Sequence, residues 1–200
     1  MEYRTKEFLE KVKTNPFSVT NNNSITLDFK RVPEGFHSYR LDASESNLHP
    51  DEFIKRFTPV FQRENTKWSR DMQIRFVENV LAGCPTNILV YSAESESEVL
   101  DNCYLLDGLQ RITAINDFIQ GRFKIYSDFS YQEIPRRICL SNSRITVKFY
   151  HFKDHYEACQ FYIDMNKHIT HSEQDLEVAY TFMKNQDKLR GQEMIADAHG

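Results

Sequence analysis

Two hundred residues with a formal net charge of −4 allow one large domain, or one domain with a small appendage, and exclude a globally basic protein that coats nucleic acid. Forty per cent hydrophobic residues, with 15 Phe and 10 Tyr, are enough for a core. No apolar run approaches the ~20 residues of a membrane span, the N-terminal MEYRTKEFLEKVK lacks the apolar stretch of a signal peptide, and Cys84, Cys103, Cys139 and Cys159 form no C-x-x-C pair, so the expectation is a cytoplasmic protein with reduced, mostly buried thiols and no membrane partner.

Residues 3–13 read as a short helix with Phe8, Leu9 and Val12 on one face. A polar loop leads to the alternating strand Ile25-Thr26-Leu27-Asp28-Phe29. Pro33-Glu34-Gly35 is a turn, and Phe36–Leu41 can return as the second strand of a hairpin. His49-Pro50 opens a short helix over 51–56. We treat 1–56 as an N-terminal extension packed on the core, 57–190 as the main domain, and 191–200 as a tail.

VFQRENTKW, residues 60–68, places Gln62 and Arg63 after an apolar pair and Trp68 before a helix that Ser69 can cap. That helix carries Met72, Phe76, Val77, Val80 and Leu81 on one face and stops at Gly83. Trp68 reads as a core anchor rather than a platform for base stacking. NILVYS, residues 87–92, is a strand. The following AESESEVLDN carries four carboxylates and no cation, which fits a solvated hairpin tip and would repel DNA.

Leu105 and its neighbours Tyr104 and Leu106 form a buried strand that stops at Asp107-Gly108. A helix pattern follows, with Ile112, Ile115, Phe118 and Ile119 on one face and Gly121 as its stop. A carboxylate (Asp107), a glycine (Gly108), an amide (Gln110) and a guanidinium (Arg111) thus gather where a strand hands over to a helix. Free N–H groups and the helix dipole attract phosphate there. Gly108 permits close backbone approach, and Arg111 can grip two oxygens at once. Asp107 could hold a metal or a water, with Gln110 orienting that water. The alternative is structural, with Asp107 capping the helix and Arg111 a surface charge.

FKIYSDFS is strand-like and then irregular. From Arg136 to Lys153 five basic residues occur with no acid. Ile145, Val147 and Phe149 alternate with Thr146, Lys148 and Tyr150, the pattern of a strand with one polar face. Arg144 and Lys148 are candidate contacts to nucleic acid, and the alternative is an ordinary basic strand face. Tyr156–Asn166 is a helix with Ala158, Phe161, Tyr162 and Met165 inward, and Asn166 either caps it or meets a ligand. His151/His155 and His168/His171 have metal-compatible spacing but no interposed Glu or Cys, which argues against zinc. Ser172 caps a last helix running to about residue 189. The mixed order of strands and helices predicts an α+β domain.

Several of these stretches together resemble a known family. Asp107-Gly108-Leu109-Gln110-Arg111 is similar to the Asp-Gly-Gln-Gln-Arg box of the GmrS-type family, in the ParB/sulfiredoxin superfamily, with Leu109 in place of the first Gln. The resemblance extends upstream to Phe61, Gln62, Arg63 and Trp68 and the Gly83/Pro85 pair, and downstream to Asn166 and Glu173, covering about residues 57–178. It implies a ParB/sulfiredoxin-like mixed sheet flanked by helices. It implies catalytic roles for Asp107, Gln110 and Arg111, and nucleotide contacts from Gln62, Arg63, Gly108 and Asn166. It places His168 and His171 near the pocket as candidate bases. The implied activity is hydrolysis of a nucleoside triphosphate with a divalent cation, Mg or Mn, in DNA processing or phage defence, with direct nuclease action as one form. DNA and a partner protein or nuclease chain are the implied partners, and a homo-oligomer stays open. The competing readings are a non-catalytic module that binds a nucleotide or protein and regulates it, and a phosphate-transfer enzyme acting on a small molecule.

Overall fold

The computed structural model describes residues 23–29, 32, 49–62, 67–93, 103–135, 144–167 and 172–197. The expected helix over 3–13, the return strand 36–41, the acidic tip after Ala93 and the side chains of Arg63, Arg136, Arg137, His168 and His171 lie outside these residues.

Four strands form one mixed sheet: β1 (Asn23–Asp28), β2 (Thr86–Ala93), β3 (Cys103–Asp107) and β4 (Arg144–Phe152), in the order β1-β4-β2-β3. β4 is antiparallel to β1 and parallel to β2, and β2 is antiparallel to β3. Five α-helices accompany it among the described residues: α1 (Pro50–Phe57), α2 (Arg70–Leu81), α3 (Leu109–Ile119), α4 (His155–Asn166) and α5 (Glu177–Asp197). The domain is α+β, as the element order predicts.

Period-2 alternation divides the strand residues between two cores. Ile88, Val90, Leu105, Ile145 and Val147 face α1, α2 and α3, meeting Phe53, Phe57, Val77, Val80, Ile112, Ile115 and Phe118. Tyr91, Tyr104, Leu106, Tyr150 and Phe152 face α4 and α5, meeting Phe61, Ala158, Phe161, Tyr162, Ala179 and Met183. The molecule is therefore helix layer, sheet, helix layer, with α4 and α5 closing the second face.

Two local patterns depart from the expectation, one on a helix face and one in a strand-like stretch. In α2 the inward set is Gln73, Val77, Val80 and Leu81, whereas Met72, expected inside, is 48% exposed. Residues 125–129 make only an isolated bridge, Ile125 to Phe129. The chain turns there through Tyr126 and Ser127 at positive φ, so the strand-like pattern of FKIYSDFS does not extend. Ser172 caps a 3-10 turn at Gln174–Leu176, receiving the N–H of Asp175 at 3.3 Å, and α5 then runs beyond the expected residue 189 to Asp197.

Candidate functional site

β3 is an edge strand, and its end is shaped by a bulge. Val90 pairs with Leu105, yet Leu89 pairs with Asp107, so Leu106 is the extra residue. This brings Asp107 into register with Leu89, whose side chain packs toward α4. The edge carbonyls of Leu105 and Leu106 are answered by one group, the Gln62 amide, whose Nε2 donates to them at 2.6 and 2.8 Å.

Gly108 then turns the chain into α3. Its φ is 111°, a conformation that L side chains rarely adopt. A Cβ at this position would also sit 3.3 Å from the Ile88 side chain. Gly108 is the N-cap of α3, and no side chain caps the helix. At the N-caps described for α1, α2 and α4, His49, Ser69 and Asp154 each accept a backbone N–H of the helix they begin. Asp107 does not cap α3; its carboxylate pairs with Arg111 instead.

Around this open helix end lies a cavity of about 300 Å³ lined by Gln62, Trp68, Asp107, Gly108, Leu109, Gln110, Arg111, Tyr162, Met165 and Asn166. The turn thus meets the last turns of α4 and the segment before α2. Asp107, Gln110 and Arg111 stand together with three of the residues expected to line a ligand pocket: Gln62, Gly108 and Asn166. Trp68 serves two purposes. It packs on Phe76 with ring centroids 5.1 Å apart, and it forms part of the cavity wall. Leu109, Tyr162 and Met165 were not expected as wall residues. Tyr162 and Met165 follow helical spacing for the core, and only the tertiary crossing of α4 past β3 brings them here.

The polar groups of the cavity are unequally engaged. Arg111 donates through Nη1 to the Asn87 carbonyl at 2.5 Å and pairs through Nη2 with Asp107 at 3.4 Å. Both side chains of that pair remain about one third exposed, so solvent reaches them. Gln110 accepts the Trp68 N–H at 3.2 Å. Its Nε2 is buried with no hydrogen-bond partner among the described residues, a costly state for an amide donor. Asn166 is 4% exposed and donates to Tyr162 O at 2.8 Å, so it closes its own helix as well as lining the cavity. Gln62 spends its NH2 on β3 and holds the strand end in place.

Other candidates lie apart. Glu173 lines a separate surface groove with Lys167, Glu177 and Lys184. His151 and His155 each bond a hydroxyl on β2, Ser92 at 2.9 Å and Tyr91 at 2.8 Å. No three His, Cys, Asp or Glu side chains gather as a metal site among the described residues. Burial pushes the Cys159 thiol up to about 12, which keeps it protonated and unreactive. Among the described residues no helix is long and apolar enough to cross a membrane. Arg144 is exposed and Lys148 half-buried on β4, outside the cavity.

No curated protein and no solved structure matches the chain. The sequence profile described as GmrSD restriction endonuclease, N-terminal domain, matches residues 45–197, well over half of the chain and including every residue that lines the cavity. The chain belongs to the family of GmrSD restriction endonuclease N-terminal domains.

Proposed function

We propose that the cavity at the start of α3 binds a nucleoside triphosphate and hydrolyses it, in a protein that acts on DNA in restriction or phage defence. One observation carries this reading. The uncapped N-terminus of α3 adjoins a buried, unanswered amide donor at Gln110 and a guanidinium at Arg111. Donors left without acceptors at a helix N-terminus suit an anion with several oxygens. The apolar lining residues Trp68, Leu109, Tyr162 and Met165 offer contacts for a base and sugar. The match to a restriction endonuclease family supports the DNA-directed setting, and the fold is compatible with the ParB-like resemblance of its motifs.

In this reading a terminal phosphate takes the free N–H groups of the first turn of α3 and the Gln110 NH2. Arg111 exchanges Asp107 for a phosphate oxygen while keeping the Asn87 carbonyl. Asp107 is thereby released to accept a proton from an attacking water. It is also, among the described lining residues, the carboxylate that could share a divalent cation with the phosphates, an arrangement usual for magnesium. Such a cation would supply charge neutralisation at the phosphate oxygens.

The same ion pair favours a second reading. With Asp107 held by Arg111 and no second carboxylate among the described lining residues, the domain would bind a nucleotide without hydrolysing it and regulate a partner. Phosphate release from each nucleoside triphosphate, with magnesium or manganese and with or without DNA, separates the two. Catalysis predicts that Asp107→Asn lowers turnover 10²-fold or more, roughly the contribution of a positioned acid–base group, while equilibrium nucleotide affinity holds or improves. A parent without hydrolytic activity under all these conditions leaves the binding module. An active parent whose Asp107→Asn variant keeps full turnover removes Asp107 from catalysis.

A further inference from the structure

The registers of three strand pairs place Lys148 and Asp107 on one line across the sheet. Ser24 pairs with Lys148, Lys148 with Leu89, and Leu89 with Asp107. Side chains paired in this way share a face, and Leu89 fixes that face as the α4 side. One pair along, Thr26 aligns with Thr146 and Thr146 with Asn87, whose carbonyl receives Arg111. The cavity therefore opens at one edge of a sheet surface that continues toward β1.

Among the described residues, helix α4 packs on this face where Tyr150, Phe152 and Tyr91 lie. Nearer the start of β4, Ser24, Thr26, Asn87 and Arg144 are exposed and Thr146 and Lys148 half-buried. The buried alternates Ile145 and Val147 belong to the other core. The uncovered area is about 13 Å along β4, from Arg144 to Lys148, and about 14 Å across the four strands. It offers two cations, hydroxyls and an amide. Among its described residues the acids are Asp28, opposite Arg144, and Asp107 at its β3 edge, which is paired with Arg111. No aromatic ring is among its exposed described residues.

We propose that this strip is where duplex DNA meets the domain, through its phosphate backbone and beside the nucleotide cavity. Cations with hydroxyl and amide donors match sugar-phosphate contacts, which fix position without reading bases. The lack of exposed rings disfavours a single strand, which such surfaces hold by stacking. The net negative charge of the chain confines contact to a local patch. Asp107 stands two strand spacings, about 10 Å, from Lys148, so the polymer backbone would lie within about a Debye length of the cavity. The assignment rests on the nucleotide reading of that cavity and adds the polymer that adjoins it.

The test is fluorescence anisotropy with a labelled DNA duplex of about two helical turns, over a range of salt. The parent is expected to bind with a salt-dependent affinity. The double variant Arg144→Gln/Lys148→Gln is expected to lower the slope of log K against log salt by about 1.8, two phosphates at about 0.9 each. Ser24→Glu, which sets a negative charge beside Lys148 without altering a cation, is expected to weaken binding and serves if the double variant does not fold. An unchanged slope in the double variant, unchanged affinity in Ser24→Glu, or a parent that binds a single strand or RNA duplex as tightly as the DNA duplex overturns the proposal. Titration of the parent with nucleotide alone reports on the cavity separately. Nucleotide binding without salt-dependent DNA binding defeats the strip and spares the cavity, whereas DNA binding without nucleotide binding does the reverse for the cavity and removes the premise that the strip adjoins a nucleotide site.

Discussion

Helix α3 treats its two ends in opposite ways. At its C-terminal end every polar group that enters the protein is answered. Arg122 donates to Asp51 at 2.8 Å and to Asp117 at 2.7 Å. Asp117 also holds Arg70 at 3.2 Å, Asn116 donates to Asp51 at 3.2 Å, and Gln120 links Asn116 to Arg122. The network ties α3 to the start of α1 and of α2. At its N-terminal end the helix has no side-chain cap among the described residues, and the Gln110 Nε2 is buried without a partner among them. The first end has the character of a structural joint, and the second is where the proposed nucleotide would bind. Unmet buried donors cost stability, and a fold keeps them where something else depends on them.

Breaking the satisfied end should have the largest effect on stability. Arg122→Ala removes the partner of two carboxylates and leaves Asp117, whose side chain is 9% exposed, with Arg70 alone. We expect a loss of about 2–3 kcal/mol by chemical denaturation, below the full cost of breaking a buried pair because Arg122 and Asp51 are partly solvated. The same variant should change the acid limb of stability. The Arg122 guanidinium holds the Asp51 carboxyl below the usual aspartate value near 3.8. A depressed folded value gives stability that is present above the unfolded pKa and lost as pH falls through the folded one. The parent should therefore lose stability below about pH 4 more steeply than Arg122→Ala. An equal acid limb in both would mean that the pair is not coupled to folding.

At the open end the effects on the unliganded protein should be smaller. Arg111→Ala leaves the Asn87 carbonyl without its donor, at a cost of about 1 kcal/mol, the usual net value of one hydrogen bond. Gln110→Leu should change stability least, by no more than about 0.5 kcal/mol. Removing a buried donor with no partner offsets loss of the Trp68 N–H bond, each being about 1 kcal/mol. A loss of several kcal/mol on Gln110→Leu would mean that Nε2 has a structural partner, and the contrast between the two ends would fail.

This contrast also marks what could be read from the sequence. The local pieces were legible because each rests on neighbours in the chain: the apolar run ending at Asp107, the period of α3, the Ser69 cap, the alternation along β4. Asp107, Gly108, Gln110 and Arg111 could be singled out because a strand, a turn and a helix meet within a few residues. The Asp51–Arg122 network was not legible, since its partners are 71 residues apart and each alone is an ordinary surface charge. The bulge at Leu106 was hidden because it depends on pairing with Leu89. The apolar wall of the cavity was hidden because Tyr162 and Met165 carry the same helical signal as any core residue. The role of Gln62 was legible only in part: its place at the cavity could be read from the family resemblance, but not its bonds to the edge of β3.

The most direct test of the open end is calorimetric titration of nucleoside triphosphates into the parent and into folded Arg111→Ala. The account predicts that the parent binds at least one triphosphate and that the variant loses about 1.5–3 kcal/mol of binding free energy, the range for a hydrogen bond to a charged group, or roughly ten- to hundredfold in affinity. Equal affinity in parent and variant, or no binding of any triphosphate by the parent, would contradict it.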